Sequence, residues 1–274
     1  MLIAEVWSQS FGNSLGIRQS TQHSHCAVCM RHKMLIKKLA SDSRARQLQL
    51  ALYQKHLTCQ YNDRACYWMN RASSRLPYQP SGNKKLSVIT DAIDHTKFKY
   101  PRSKVFGSKE FSGVVRPSMD FSAMISHGHC LLFALSEPWV KKDSSWCSEL
   151  LCHSLNLLSA RGLDLRSTEV CLQADNTSRE CKNNTLCRLG GVLVGCHQLK
   201  HFQLDFLMTG HSHEDVDQLF SQVSNLIEAH QELHTPSDFQ KVLESWLSDK
   251  SVRPHEPYRS VVKVDQVRDW LLDS

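Results

Sequence analysis

The chain has 274 residues, of which 41% are hydrophobic and 22% are charged, and its formal net charge is +6. This composition is that of a globular protein, and the length allows one large domain or a domain with a small appendage. No apolar run approaches the 18 residues of a membrane-spanning helix, and the N-terminus lacks the basic and apolar regions of a secretory signal. We therefore expect no membrane partner.

The positive charge is concentrated in the first third of the chain. Residues 1–81 carry 11 Lys and Arg against three acids, a balance of +8, which leaves −2 for the remainder. A basic region beside an acid-bearing one is typical of a nucleic-acid enzyme, although a pair of solvated helices has the same composition. The 11 cysteines are odd in number and uneven in spacing, which favours reduced thiols in an intracellular protein. With DNA as the expected partner, the predicted location is nuclear.

The first part of the chain is predicted to be helical. Residues 1–22 are polar and aperiodic, typical of a frayed lead-in, and residues 23–80 are expected to form a basic helical subdomain. Leucines recur at helical spacing with basic residues between them: Leu35, Leu39, Leu48 and Leu52. Residues 76–83 contain two prolines and a glycine, which predicts a linker.

A Cys-x-x-Cys pair, Cys26 and Cys29, lies at the start of this helical region. Two thiolates at that spacing bind zinc when two further ligands are available. His56 and Cys59 are the candidates we favour, if a helical turn brings them back, and Cys66 is a further one. The result would be a small subdomain held together by structural zinc. The alternative is two ordinary thiols near a helix start.

Strands and helices alternate from residue 81 onward. Apolar patterns predict strands at 85–94, 120–136 (a hairpin turning near His127 and Gly128), 167–175 and 202–208, with a weak strand at 259–264. They predict helices at 143–162, 184–201, 214–233 and 238–248. This order indicates a mixed sheet with helices on both faces over 81–250, followed by a C-terminal extension at 251–274.

Three acids stand at the ends of predicted elements. Asp91 and Asp175 end strands, and Asp217 begins a helix after the next strand. Because chemistry gathers at the carboxyl ends of strands in open α/β sheets, these acids can converge. Converging carboxylates repel each other, so a divalent cation would offset their charge, and hard oxygen ligands favour Mg²⁺ or Mn²⁺. Two such ions can clamp the attacking and leaving oxygens of a phosphodiester.

The order of these acids resembles that of ribonuclease H-like DDE/DDD transposases and retroviral integrases. Three segments resemble, more specifically, a transposase-derived domain family of mostly unassigned function: VITDAIDHTKFKYPR (88–102), LQADNTSRECKNN (172–184) and GHSHEDVDQLFS (210–221). The second segment matches a D-N-x₅-K-N block at Asp175, Asn176, Lys182 and Asn183. The third matches a G-H-T-x₄-D-x₂-F block at Gly210, His211, Asp217 and Phe220, with Ser212 in place of Thr. The resemblance covers roughly residues 26–250.

This resemblance implies an α/β, ribonuclease H-like mixed sheet flanked by helices, with an N-terminal helical subdomain. It implies metal-dependent hydrolysis or strand transfer on DNA. The chain would be an active enzyme or a domesticated remnant, and in either case we expect homo-oligomers. Asp91 and Asp175 would bridge two Mg²⁺ or Mn²⁺ ions, and Asp217 would bind one of them. His211 would bind a metal or orient a water or the scissile phosphate. Lys182, which belongs to the same block as Asn176, would contact a phosphate.

Several alternatives stay open. Asp94 competes with Asp91, and Glu214 and Asp215 compete with Asp217. Asp217 could simply be a helix-start acid favoured by the macrodipole, and Asp175 an ordinary turn residue. A catalytically inactive nucleic-acid-binding protein of the same fold is the main rival. A zinc hydrolase is a weaker one, since TGHSHEDV (209–216) approaches H-x-H-x-D-H but ends on Val216, and histidines are scarce downstream.

Overall fold

The structure is a computed structural model that describes residues 26–76, 84–93, 98–103, 110, 113–177, 180–206, 215–230, 232–268 and 270. Several predictions fall outside these residues: the lead-in, nearly all of the linker, Asp94, His211 and Glu214. Among the described helices, none combines the length and apolar character needed to cross a membrane.

Two helices form the N-terminal part, as predicted. Helix α1 (Ala27–Lys38) packs against the longer α2 (Ser43–Arg75). The Asp42 side chain caps α2 by accepting a hydrogen bond of 3.0 Å from the backbone N–H of Ala45. With 33 residues, α2 is about 50 Å long, and only its last third has buried side chains. We call residues 26–66 the arm and the described residues from Tyr67 onward the body.

The body is built on a mixed sheet, and six strands of it lie within the described residues. They are β1 (Lys84–Ala92), β2 (Asp120–Ser126), β3 (Cys130–Ser136), β4 (Thr168–Ala174), β5 (His201–Phe206) and β6 (Tyr258–Lys263). Their order is β5-β4-β1-β2-β3-β6. Strands β1, β2 and β3 run antiparallel, β4 and β5 continue parallel from β1, and β6 lies parallel to β3. The predicted fold class, a ribonuclease H-like α/β sheet with N-terminal helices, is consistent with this architecture.

Helices cover both faces of the sheet. One face packs against α3 (Ser144–Ala160) and α4 (Asn184–Gly195), and the other against α5 (Asp215–Ala229) and α6 (Pro236–Ser248). The side chains of β3 are buried throughout, as expected for a strand covered on both sides. The predicted hairpin turn is present, and Gly128 adopts a positive φ of 78° there.

The helix predicted for 184–201 is shorter than expected and ends at Gly195. The chain turns at His197, which has a φ of 55°, and β5 then begins at His201. Gly190 lies inside α4 because the helix packs closely on β5 at this point. A Cβ at position 190 would lie 2.1 Å from the Phe202 ring. The predicted weak strand near 259–264 is β6, and it adds an edge to the main sheet beside β3.

Candidate active site

Asp91 and Asp175 lie side by side on adjacent strands. Strands β1 and β4 are parallel, and their paired residues include Ile89 with Gln173. Continuing that register by two residues brings Asp91 level with Asp175, at the carboxyl end of each strand. Because side chains alternate along a strand, both acids belong to the same face of the sheet as Ile89, which packs against α5. The two acids are thus expected on the same face of the sheet.

Asp217 reaches this region from the first turn of α5. The apolar face of the helix packs on β1 and β2 through Val216, Leu219 and Val223. The charge of Asp217 acts on Asp91 strongly enough to raise its pKa, so the two carboxylates are neighbours in space. The macrodipole of α5 also favours an acid in the first turn of this helix.

The carboxyl group of Asp91 has a strongly perturbed pKa. Burial is the main cause and raises the pKa to about 7, and the negative charges of Asp217, Asp175 and Glu180 add to the rise. A hydrogen bond of 2.8 Å from the backbone N–H of Ala92 opposes it. A buried acid beside three other acids is costly without a cation, and clusters of this kind are typical of functional sites.

The acids are close but do not form a tight ligand cage. Among the described residues, one set of three His, Cys, Asp or Glu side chains has its ligand atoms within 4.8 Å of one another, and it lies in the arm. The donor set itself, the carboxylates of the half-buried Asp91 and Asp217 and of the exposed Asp175, suits Mg²⁺ or Mn²⁺.

Asp215 has a different role from Asp217. Its carboxylate accepts hydrogen bonds from Arg71 at 2.6 Å and from the Tyr67 hydroxyl at 3.1 Å. Burial alone would raise the pKa of Asp215, but the Arg71 hydrogen bond and the nearby positive charges lower it below its usual value. Asp215 is thus held by α2, whereas Asp217 acts on Asp91, and Glu214 lies outside the described residues.

A buried polar network extends from Asp215 beneath α2. The ring of His127, which is fully buried, hydrogen-bonds to the Tyr67 hydroxyl at 2.8 Å and lies 3.7 Å from Asp215. On its other side His127 lies 3.8 Å from the buried Glu256. Burial lowers the pKa of His127, so the ring is mainly neutral near pH 7. The network ties α2 to the start of α5 and to the segment before β6.

The other residues of the D-N-x₅-K-N block lie at the same end of the sheet. Lys182 is exposed, with its ammonium 5.5 Å from the centre of the Phe206 ring at the end of β5. Asn176 donates its backbone N–H to the Asp175 carboxylate at 2.7 Å. Asn183 caps α4 by accepting a hydrogen bond from the N–H of Leu186, which gives it a structural role.

Glu180 is an acid near Asp91 that the sequence reasoning did not single out. It lies between β4 and α4 and contributes to the raised pKa of Asp91. Glu180 belongs to segment 172–184, and its place in that segment is the sequence feature that could have identified it. A glutamate in a loop has no periodicity that would distinguish it from a solvated acid.

The cysteine prediction is met in part by the geometry. Cys26, Cys29 and His56 bring their ligand atoms within 4.8 Å of one another in the arm. Cys59 is exposed and lies outside this set. Asp215, which would supply the acid of the H-x-H-x-D motif in a zinc hydrolase, is held instead by Arg71.

Comparisons with known proteins give one finding. A family model described as Domain of unknown function (DUF7869) matches residues 114–274. The match includes Asp175 and Asp217 and runs from β2 to β6, whereas Asp91, α1 and α2 precede it. No curated protein sequence and no solved structure matches the chain.

Proposed function

The chain belongs to the DUF7869 family, a domain of unknown function, and we propose that it hydrolyses or transfers phosphodiesters of DNA with the help of a divalent metal. One observation carries the proposal: Asp175, Asp217 and Glu180 all raise the pKa of Asp91 at the carboxyl ends of two parallel strands. The resemblance to DDE/DDD transposases and integrases supports the same acids and the same chemistry.

The carboxylates would hold the metal. Asp91 and Asp175 come level when the β1–β4 register is continued by two residues, and Asp217 approaches from α5. Mg²⁺ or Mn²⁺, when bound, would stabilise negative charge on the attacking and leaving oxygens. Because the pKa of Asp91 is about 7, this carboxyl must lose its proton before it can act as a ligand near neutral pH. Metal binding is therefore expected to strengthen as the pH rises through 7.

Two further features suit a DNA substrate. Lys182 presents an exposed ammonium at the same end of the sheet as the acids, where it can contact a phosphate. The arm carries eight Lys and Arg against two acids, a balance of +6, so the rest of the chain is neutral overall. Phosphate binding by such a surface carries no sequence preference, and the arm would position DNA rather than read it.

The test is cleavage of supercoiled and linear duplex DNA by the full chain in Mg²⁺, Mn²⁺ or EDTA. We expect metal-dependent cleavage that falls at least about a hundredfold in Asp175→Asn, with an unchanged circular dichroism spectrum. Asp164→Asn is the matched control, because this acid lies before the amino end of β4, away from the site. Cleavage that survives in Asp175→Asn would contradict the proposal.

The rival function is DNA binding without turnover, and the positive arm is the observation that favours it. It predicts salt-dependent binding to duplex DNA that Asp175→Asn leaves intact, with no cleavage in any divalent ion. That pair of results would replace the nuclease proposal with the binding one.

A further inference from the structure

The arm has almost no core of its own. Two of its side chains are buried: Cys29 in α1, and Cys26 at the N-terminal cap of that helix. The part of α2 that belongs to the arm has no buried residue. Large apolar side chains face solvent instead, among them Met34, Leu48 and Leu52. Units of about 40 residues rarely bury enough apolar surface to be stable and depend on disulfides, metals or association.

Both buried residues of the arm are cysteines, and a histidine from the facing helix joins them. The sulfur atoms of Cys26 and Cys29 and a ring nitrogen of His56 all lie within 4.8 Å of one another. The distance from Cys26 Sγ to His56 Nε2 is 3.5 Å. Two ligands of one tetrahedral zinc ion, at about 2.3 Å for sulfur and about 2.0 Å for nitrogen, are separated by about 3.5 Å.

We propose that Cys26, Cys29 and His56 bind a structural zinc ion that fastens α1 to α2. The ligands come from both helices, so one ion would replace the missing apolar contact between them. Two thiolates and an imidazole are the donors that zinc prefers, whereas Mg²⁺ prefers the oxygen donors of the body. A tetrahedral ion takes its fourth ligand from water or from a further side chain.

Neighbouring side chains are placed to support these ligands. The Tyr53 side chain forms a hydrogen bond with the Cys29 sulfur and so orients it from α2. The His32 ring stacks on Tyr53 at 5.6 Å, and its Nδ1 is paired with the side chain of Gln49. His32 is thus engaged in packing on α2, and the three proposed ligands are distinct from it.

The proposed site differs from the acids of the body in position, donor type and role. It lies in the arm, outside the region matched by the family model, and its zinc would have a mechanical effect. By fixing α1 against α2, the ion would hold the exposed cations of both helices on one rigid surface. Zinc binding can be measured without DNA, so its outcome is independent of the proposed nuclease activity.

The experiment is metal analysis of the purified full chain by mass spectrometry. We expect about one zinc per chain in the native protein and less than a tenth of that in Cys29→Ser and His56→Ala. Cys187→Ser is the matched control, because this thiol is also exposed but lies on α4 in the body, and it should retain the zinc. Asp175→Asn should also retain it, which separates this site from the acids.

A second measurement guards against variants that merely misfold. Removing zinc from the native chain with a chelator should increase proteolytic cleavage within residues 26–66, while the thermal transition of the body stays in place and zinc restores protection. Cobalt in place of zinc should give the absorption of a tetrahedral thiolate site, and Cys29→Ser should remove it. A zinc content that is unchanged in Cys29→Ser, or a Cys26–Cys29 disulfide in the native chain, would overturn the proposal.

Discussion

The arm and the body solve the problem of stability in different ways. The body buries apolar side chains on both faces of its sheet, including Leu132, Phe133 and Leu150. The arm leaves most of its apolar side chains exposed and buries two cysteines. The charges are also divided, since the arm carries the whole formal charge of +6 and the remainder is balanced. Packing holds one region, and in our proposal a metal holds the other.

This division explains where each kind of charged site occurs. Clustering Asp91 with other acids destabilises the folded state, and only a region with a large core can offset that cost. The arm has no such reserve, so its cations stay in solvent, where they repel weakly and remain available to a partner. The two regions are joined through α2, and Arg71, just inside the body, holds that helix to Asp215 at the start of α5.

The largest expected difference comes from the same substitution made in each region. Leu132 is fully buried in β3, and Leu48 is 65% exposed in the arm. Leu132→Ala should lower the free energy of unfolding of the body by about 2–5 kcal/mol, because it removes buried methyl groups and leaves a cavity. Leu48→Ala should change it by less than about 0.5 kcal/mol. Urea denaturation followed by circular dichroism measures both.

An equal loss of stability in the two variants would contradict the comparison. It would mean that the arm folds as part of one cooperative unit, with Leu48 covered by a contact such as a second copy of the chain. A concentration-dependent transition in Leu48→Ala would identify that case.

The elements of the body could be predicted from sequence, because a strand such as β1 alternates and carries β-branched residues, and the helices have apolar residues at helical spacing. The places of Asp91 and Asp175 at strand ends could be predicted for the same reason. The end of α4 could not be predicted, since it depends on the backbone conformation of His197. The contact of Asp215 with Arg71 could not be predicted either, because it spans 144 residues of sequence.

The second effect concerns Asp91 and pH. Since its pKa in the folded protein is about 7, above the usual value of 3.8, the folded state binds a proton more tightly than the unfolded state. Stability of the metal-free protein should therefore fall as the pH rises from about 4 to 7. At about 1.4 kcal/mol per unit, the loss is at most about 4 kcal/mol, and Asp91→Asn should abolish it.

Thermal denaturation in EDTA at pH 5 and pH 8 measures this effect. The native chain should lose stability between the two values, Asp91→Asn should lose much less, and Asp164→Asn should behave as the native chain does. Mg²⁺ at pH 8 should stabilise the native chain and leave Asp91→Asn unaffected, if the acids hold the ion. A native chain whose stability is the same at both pH values would show that Asp91 titrates near its ordinary pKa.

The smallest of the three effects tests the junction of the two regions. Arg71 and Asp215 are mostly buried, with 28% and 14% of their side chains exposed, and Arg71→Ala would leave the carboxylate without its guanidinium. We expect a loss of about 1–3 kcal/mol in the free energy of unfolding. A double-mutant cycle with Asp215→Ala isolates the coupling between the two residues.

The pair formed by Lys200 and Glu169 provides the control for that cycle. Its atoms are 2.9 Å apart, similar to the 2.6 Å between Arg71 and Asp215, but both side chains are more exposed. Exposed pairs contribute at most about 1 kcal/mol, so its coupling should be clearly smaller. Equal couplings would mean that burial adds nothing at the junction. A larger coupling for Arg71 and Asp215 would instead mean that α2 fixes the position of α5. Because α5 carries Asp217, Arg71→Ala should then also reduce the proposed DNA cleavage.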